Sequence, residues 1–159
     1  MQQALLFLSY RARSEAEIRQ NLRKHEIPET VIEETLDRLR GNGFANDKQF
    51  ASAWVENRST FRPRGRRALA LELRQKGIDN ATIESALEDV DDEALAYEAG
   101  LKKAGKLKVQ DWNEFRKKMS GFLARRGFSY SVIAPIISRL WKEIHTEGEE
   151  HIIDNEEIA

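Results

Sequence analysis

The chain has 159 residues, 40% of them apolar, and its 26 basic and 27 acidic side chains leave a formal net charge of −1. It has no cysteine, which excludes a disulfide framework and thiolate metal sites, and its longest apolar runs, residues 4–8 and 132–137, are far too short to span a bilayer. With 33% charged residues, 3 prolines and 9 glycines, the composition favours helices with solvated outer faces and predicts a soluble, cytoplasmic protein.

An amphipathic stretch from Ala4 to Arg11 opens the chain, and Ser14 followed by Glu17 reads as a capping box that starts a second helix. Ile18, Leu22, Ile27, Ile32, Leu36 and Leu39 follow at helical spacing with a break at Ile27. A second amphipathic stretch, Phe50 to Arg58, leads into Leu69, Leu73, Ile78, Ile83, Leu87 and Val90 with the same spacing. A third, Ala94 to Lys103, leads through Asp111 and Glu114, a second capping pair, into Met119, Leu123, Phe128, Ile133, Ile137 and Leu140. All eighteen of these positions are apolar and align without a gap, so the chain repeats itself with a period of about 50 residues. Gly77 and Gly127 mark the turn inside the second and third copies, where glycine takes the left-handed conformation that ends a helix, and Asp79 and Ser129 stand where the next helix begins. Three helices per copy in three copies follow: repeats at 1–46, 47–91 and 92–144, then an acidic tail at 145–159 that is expected to be mobile. Pro135 falls inside the last helix and predicts a kink or a late start. An alternating strand over residues 68–73 is the competing pattern, and the flanking copies favour helix.

The small net charge hides segregation. Residues 58–83 carry +5 and residues 99–142 carry +9, while 84–98 and 143–159 carry −7 each. The first basic block holds Arg58, Arg62, Arg64, Arg66, Arg67, Arg74 and Lys76, with Pro63 and Gly65 at an expected helix start, where backbone N–H groups would join the guanidinium groups in facing an anion. A 100° step puts Leu69 and Leu73 on one face, with Arg67, Leu71 and Arg74 outward. The second block is lysine-rich and includes Lys102, Lys103, Lys106, Lys117, Lys118, Arg125 and Arg126; it suits attraction to a nucleic-acid backbone. Trp54, Trp112 and Phe115 sit at amphipathic positions and are expected in cores.

No phosphate-cradling glycine loop, zinc-binding His pair or nucleophile elbow occurs, and the three histidines lack a partner at helical spacing. The expectation is therefore a protein with no catalytic residues, no metal and no cofactor. His25 aligns with Lys76 and Arg126 and is expected on the surface.

Three stretches resemble the RecX family of bacterial regulatory proteins: R-x-R-S-x-x-E-I from Arg11 to Ile18, G-F-x-x-D-x-x-F-A from Gly43 to Ala51, and R-G-x-x-x-L-x-x-E-L-x-x-K-G-I from Arg64 to Ile78. Asn46-Asp47 replaces the family's paired aspartates, and Asn is an equally good helix cap. The resemblance covers about residues 4–143. It implies an all-α fold of three tandem, helix-turn-helix-like three-helix repeats in an elongated, curved molecule. It also implies a monomer that binds the RecA recombinase filament on single-stranded DNA and modulates, in most of the family by inhibition, its ATPase, extension and strand exchange in recombination, repair and the SOS response. Arg64, Arg66, Arg67, Arg74 and Lys76 are the first candidate contacts, with Arg58 and Arg62 beside them and Lys117, Lys118, Arg125 and Arg126 as a second patch. The alternative is a helix-turn-helix protein reading duplex DNA independently of RecA.

Overall fold

In the computed structural model the described residues are 1–108 and 111–156, with side chains described through Thr146. Nine helices and no strand occur among them: α1 (Gln2–Tyr10), α2 (Glu15–Lys24), α3 (Glu29–Gly41), α4 (Asp47–Phe61), α5 (Arg66–Gln75), α6 (Asn80–Leu87), α7 (Asp92–Ala104), α8 (Trp112–Arg125) and α9 (Tyr130–Glu156). The expected three-helix repeats are thus α1–α3, α4–α6 and α7–α9, and the alternating-strand pattern at 68–73 lies within α5. The chain divides into two compact units, Met1–Asn57 with Leu69–Asp89, and Arg58–Ala68 with Val90–Ala159.

The periodic apolar residues form the cores. Sixteen of the eighteen repeat positions are buried, and Ile27 and Val90 are half-buried. In the first unit Ile18, Leu22, Ile32, Leu36 and Leu39 close around Ala4. In the second, Met119, Leu123, Phe128, Ile133, Ile137 and Leu140 pack with Phe115 and with Leu95, Ala96 and Ala99 of α7. Gly100 lets α7 lie close to α9, because a Cβ there would come within 2.6 Å of Leu140 Cδ1. Trp112 and Phe115 stack 6.5 Å apart at this core, and Phe50 stacks on Trp54 at 5.8 Å in the first unit.

The caps fall where the residue types indicate. Ser14 and Glu17 form a reciprocal capping box. Asn46, Asp79 and Asp111 accept from the N–H groups of Gln49, Thr82 and Glu114. α9 begins at Tyr130, so Pro135 costs an interior hydrogen bond rather than delaying the helix. The α9 backbone continues through Glu156, whereas the acidic side chains expected to form the tail lie outside the described residues.

The same turn closes α2, α5 and α8. Ile27, Ile78 and Phe128 donate their N–H to the carbonyls of Leu22, Leu73 and Leu123, and Glu26, Gly77 and Gly127 donate to Arg23, Arg74 and Ala124, the paired bonds of a Schellman end. Glu26, Gly77 and Gly127 all have positive φ, at 59°, 78° and 91°. Copy one tolerates a glutamate there, but copies two and three do not have the room. A Cβ on Gly77 would collide with the Ala16 Cβ, and one on Gly127 would lie 2.7 Å from the backbone nitrogen of Ala68. Gly77→Ala and Gly127→Ala are each expected to cost more than about 2 kcal/mol in urea denaturation, since both strain and collision oppose the methyl. Glu26→Gly is expected to stabilise by up to about 1 kcal/mol.

Candidate nucleic-acid interface

Each turn that holds one of these glycines docks on the start of the helix pair in the preceding repeat. In the first joint the Ser14 hydroxyl donates to the Lys76 carbonyl at 2.6 Å. In the second, the Gly65 N–H donates to the Arg126 carbonyl at 2.8 Å. Ser14 and Gly65 are equivalent positions 51 residues apart, so Arg11 and Arg13 correspond to Arg62 and Arg64, and Glu17 corresponds to Ala68.

That last replacement separates the two joints. In the first, Glu17 gathers the cations: Arg11 at 2.5 Å, Arg13 at 3.7 Å and Lys76 at 3.8 Å. Partial burial works to raise the Glu17 carboxyl, yet the Arg11 side chain, the Ser14 N–H and the charges of Arg11 and Lys76 bring it below the usual carboxylate range. Lys76 also lies 5.4 Å from the Trp54 ring centroid. The second joint has the same three cationic positions, Arg62, Arg64 and Arg126, with an alanine where the carboxylate stood. Burial, and then the charges of Arg64 and Arg62, lower the Arg126 pKa from its ordinary value, although a guanidinium still stays charged at neutral pH.

Beside this joint is a concavity of about 310 Å³ lined by Phe61, Arg62, Pro63, Ala99, Lys102, Lys103, Lys106, Phe122 and Arg126. Five of its nine lining residues are cationic and none is a carboxylate. The Phe122 ring forms part of the wall, with Lys103 at 5.3 Å and Arg126 at 5.0 Å from its centroid. A second concavity continues across α7 and α8 and is lined by Lys103, Lys117, Lys118 and Arg125 with Glu114; Lys118 pairs with Glu114 at 2.8 Å. Arginine and lysine side chains converging on a recess with apolar walls can take a phosphate together with the flat group attached to it.

The expected contacts therefore divide. Arg62, Arg64 and Arg126 come together although they belong to separate sequence blocks, and Lys117, Lys118 and Arg125 line the adjoining surface. Lys76 is tied up in the first joint. Arg67 and Arg74 are exposed, as is Leu71 at 55%, and the Arg74 Nε lies 3.4 Å from the Asn80 Oδ1. Arg58 and Arg64 are half-buried. The start of α5 does not face an outside anion with both its first donors: Gly65 N–H bonds Arg126, and the Arg66 N–H donates to Asp92 Oδ1 at 3.0 Å. Burial raises the Asp92 carboxyl above its usual value, against the opposing pull of the Arg66 N–H and side chain. Sequence reasoning left Phe61 and Phe122 out of the site, and placed Lys102, Lys103 and Lys106 in the second basic block without choosing them as contacts. The signal was available in the second Arg-x-Arg at 62–64, which repeats the first while losing its glutamate.

The fold and this surface define a class: an all-helical protein of tandem three-helix repeats that carries a cationic recess. Models of the first, second and third three-helix domains of RecX match residues 1–39, 46–87 and 91–137. The chain belongs to the RecX family, whose curated members are named regulatory proteins. It is 36% identical over 155 residues to the regulatory protein RecX of Streptomyces coelicolor, covering 94% of this chain and 81% of that one. It is 34% identical to that of Chlorobium limicola, covering 87% of each. The crystal structure of RecX from Lactobacillus salivarius superposes with a TM-score of 0.76 at 32% identity, over 86% of this chain and 91% of that one. No helix among the described residues is long and apolar enough to cross a membrane.

Restoring the missing carboxylate tests the site. Ala68→Glu is expected to reproduce the neutralised first joint and to weaken single-stranded DNA binding at least about fivefold, as expected when a like-charge cluster gains a counter-charge. Thermal unfolding of the same variant is expected to show no loss of stability.

Proposed function

We propose that this chain binds the RecA filament on single-stranded DNA and inhibits RecA ATP hydrolysis, filament extension and strand exchange. The reading rests on membership of the RecX family together with one observation, the cationic recess at the second joint with no carboxylate in its lining. Arg62, Arg64 and Arg126 hold phosphates of the strand within the filament. Lys117, Lys118 and Arg125 extend the attraction along α8, and the exposed Arg66, Arg67 and Arg74 serve as further contacts to DNA or to acidic groups of RecA. The protein acts as a cytoplasmic monomer without catalysis, metal or cofactor.

Independent reading of duplex DNA by a helix-turn-helix is less well supported. Such a reader presents the start of its second helix to the duplex. In the second repeat that start is capped by the Asp79 carboxylate, which would repel phosphate, and the preceding turn is packed on Ala16. In the third, the turn is packed on Ala68.

RecA ATP hydrolysis on single-stranded DNA, titrated with this protein, tests the reading. A fall in rate is expected at a small fraction of the RecA concentration, because each bound molecule acts on many protomers. An unchanged rate at equimolar protein would contradict it. Replacing Arg62, Lys102 and Lys106 by Ala is expected to reduce the slope of log affinity against log salt for single-stranded DNA by about 2, at about 0.7 per phosphate contact.

A further inference from the structure

We infer that the recess at the second joint is a subsite for one unstacked nucleotide of a single strand, with the base stacked on Phe61 and its phosphate held by Arg62, Arg126, Lys102 and Lys106. The inference deepens the proposed function and rests on its single-strand reading.

Phe61 is the last residue of α4 and is 71% exposed, the highest exposure among the chain's described phenylalanines. Water-exposed phenylalanine costs nothing by itself, but this one stands at the rim of a recess rather than alone. The same lining holds a second ring, Phe122, with Lys103 and Arg126 at 5.3 and 5.0 Å from its centroid. Ala99 and Pro63 complete an apolar lining, and the four cations named above supply the charge. A recess of about 310 Å³ is at the small end of ligand sites, which run from about 300 to 1,000 Å³, and suits a unit of nucleotide size. A duplex could not use it, since its bases are stacked on one another and offer no free face to an aromatic side chain. Cations alone would hold any polyanion equally; the exposed ring beside them is what distinguishes a strand that carries unstacked bases.

The test compares a fluorescently labelled oligothymidylate with an oligonucleotide of the same length and charge made of abasic sites. Anisotropy titrations at fixed salt are expected to show the wild type binding the thymidine strand about tenfold tighter than the abasic one, within the range for one base on an aromatic side chain. Phe61→Leu, at an exposed position where it leaves folding intact, is expected to bring the two affinities within about twofold by weakening the thymidine strand alone; Phe61→Tyr is expected to keep the gap. Arg62→Ala is expected to weaken both strands alike. Equal binding of the two strands by the wild type would overturn the inference, and so would an unchanged gap in Phe61→Leu. RecA ATP hydrolysis measured in parallel separates the two readings. Inhibition without base discrimination defeats the subsite alone, whereas base discrimination without inhibition defeats the RecA reading and leaves the subsite standing.

Discussion

The hydrogen bond from the Gly65 N–H to the Arg126 carbonyl, 2.8 Å long, is the contact on which the cationic recess depends. It forms only because neither turn carries a side chain at the point of approach. A Cβ on Gly65 would lie 2.6 Å from the Gly127 carbonyl carbon, and one on Gly127 would meet the Ala68 backbone. With both glycines in place, Arg62 and Arg64 from one repeat are held beside Arg126 from the next. Like charges repel, so the cluster is maintained by backbone hydrogen bonding and by the anchoring of the Arg126 turn through Leu123 and Phe128 in the second unit's core.

The comparison between the two joints gives this its force. Both use the same Schellman turn, the same close approach of a glycine and a bond to the same carbonyl, made by the Ser14 hydroxyl in one and the Gly65 N–H in the other. Both place three cations around the bond. The first supplies Glu17 and closes into a structural ion-pair network, with the Glu17 carboxyl held below its usual range. The second has Ala68 at the position of that carboxylate. Repetition of a module has thus kept the mechanics of the joint while a single side chain changed its electrostatic role. Part-buried carboxylates contribute only when paired, and Glu17 is paired twice, with that first set of cations and with the Ser14 N–H in the capping box.

Much of the fold was legible in the sequence because the repeat speaks through apolar spacing. Positions such as Leu22, Leu73 and Leu123 report a core face directly, and Gly77 and Gly127 announce the left-handed turn between helices. Ser14, Asn46, Asp79 and Asp111 mark helix starts by side-chain chemistry that acts within three residues. The site was less legible because its members meet through tertiary contact. Arg62 and Arg126 stand 64 residues apart, and nothing local predicts that Lys76 is paired with Glu17 while its equivalent Arg126 lines the recess beside Phe122. Phe61 was hidden by the expectation that α4 ends near Arg58; the helix instead runs to residue 61 and delivers the ring to the rim. Asp92 at the start of α5 likewise depends on α7 being folded against it, which no spacing within residues 62–78 could express.

The central claim is that two basic blocks distant in sequence act on one ligand phosphate. A double-mutant cycle on single-stranded DNA affinity, using Arg62→Ala, Arg126→Ala and the pair, measures that directly. Groups that share a ligand are coupled by at least about 0.5 kcal/mol, so the account requires the double variant to lose less affinity than the sum of the single losses. Strict additivity within error would show that the two arginines act at separate places and would contradict a single site.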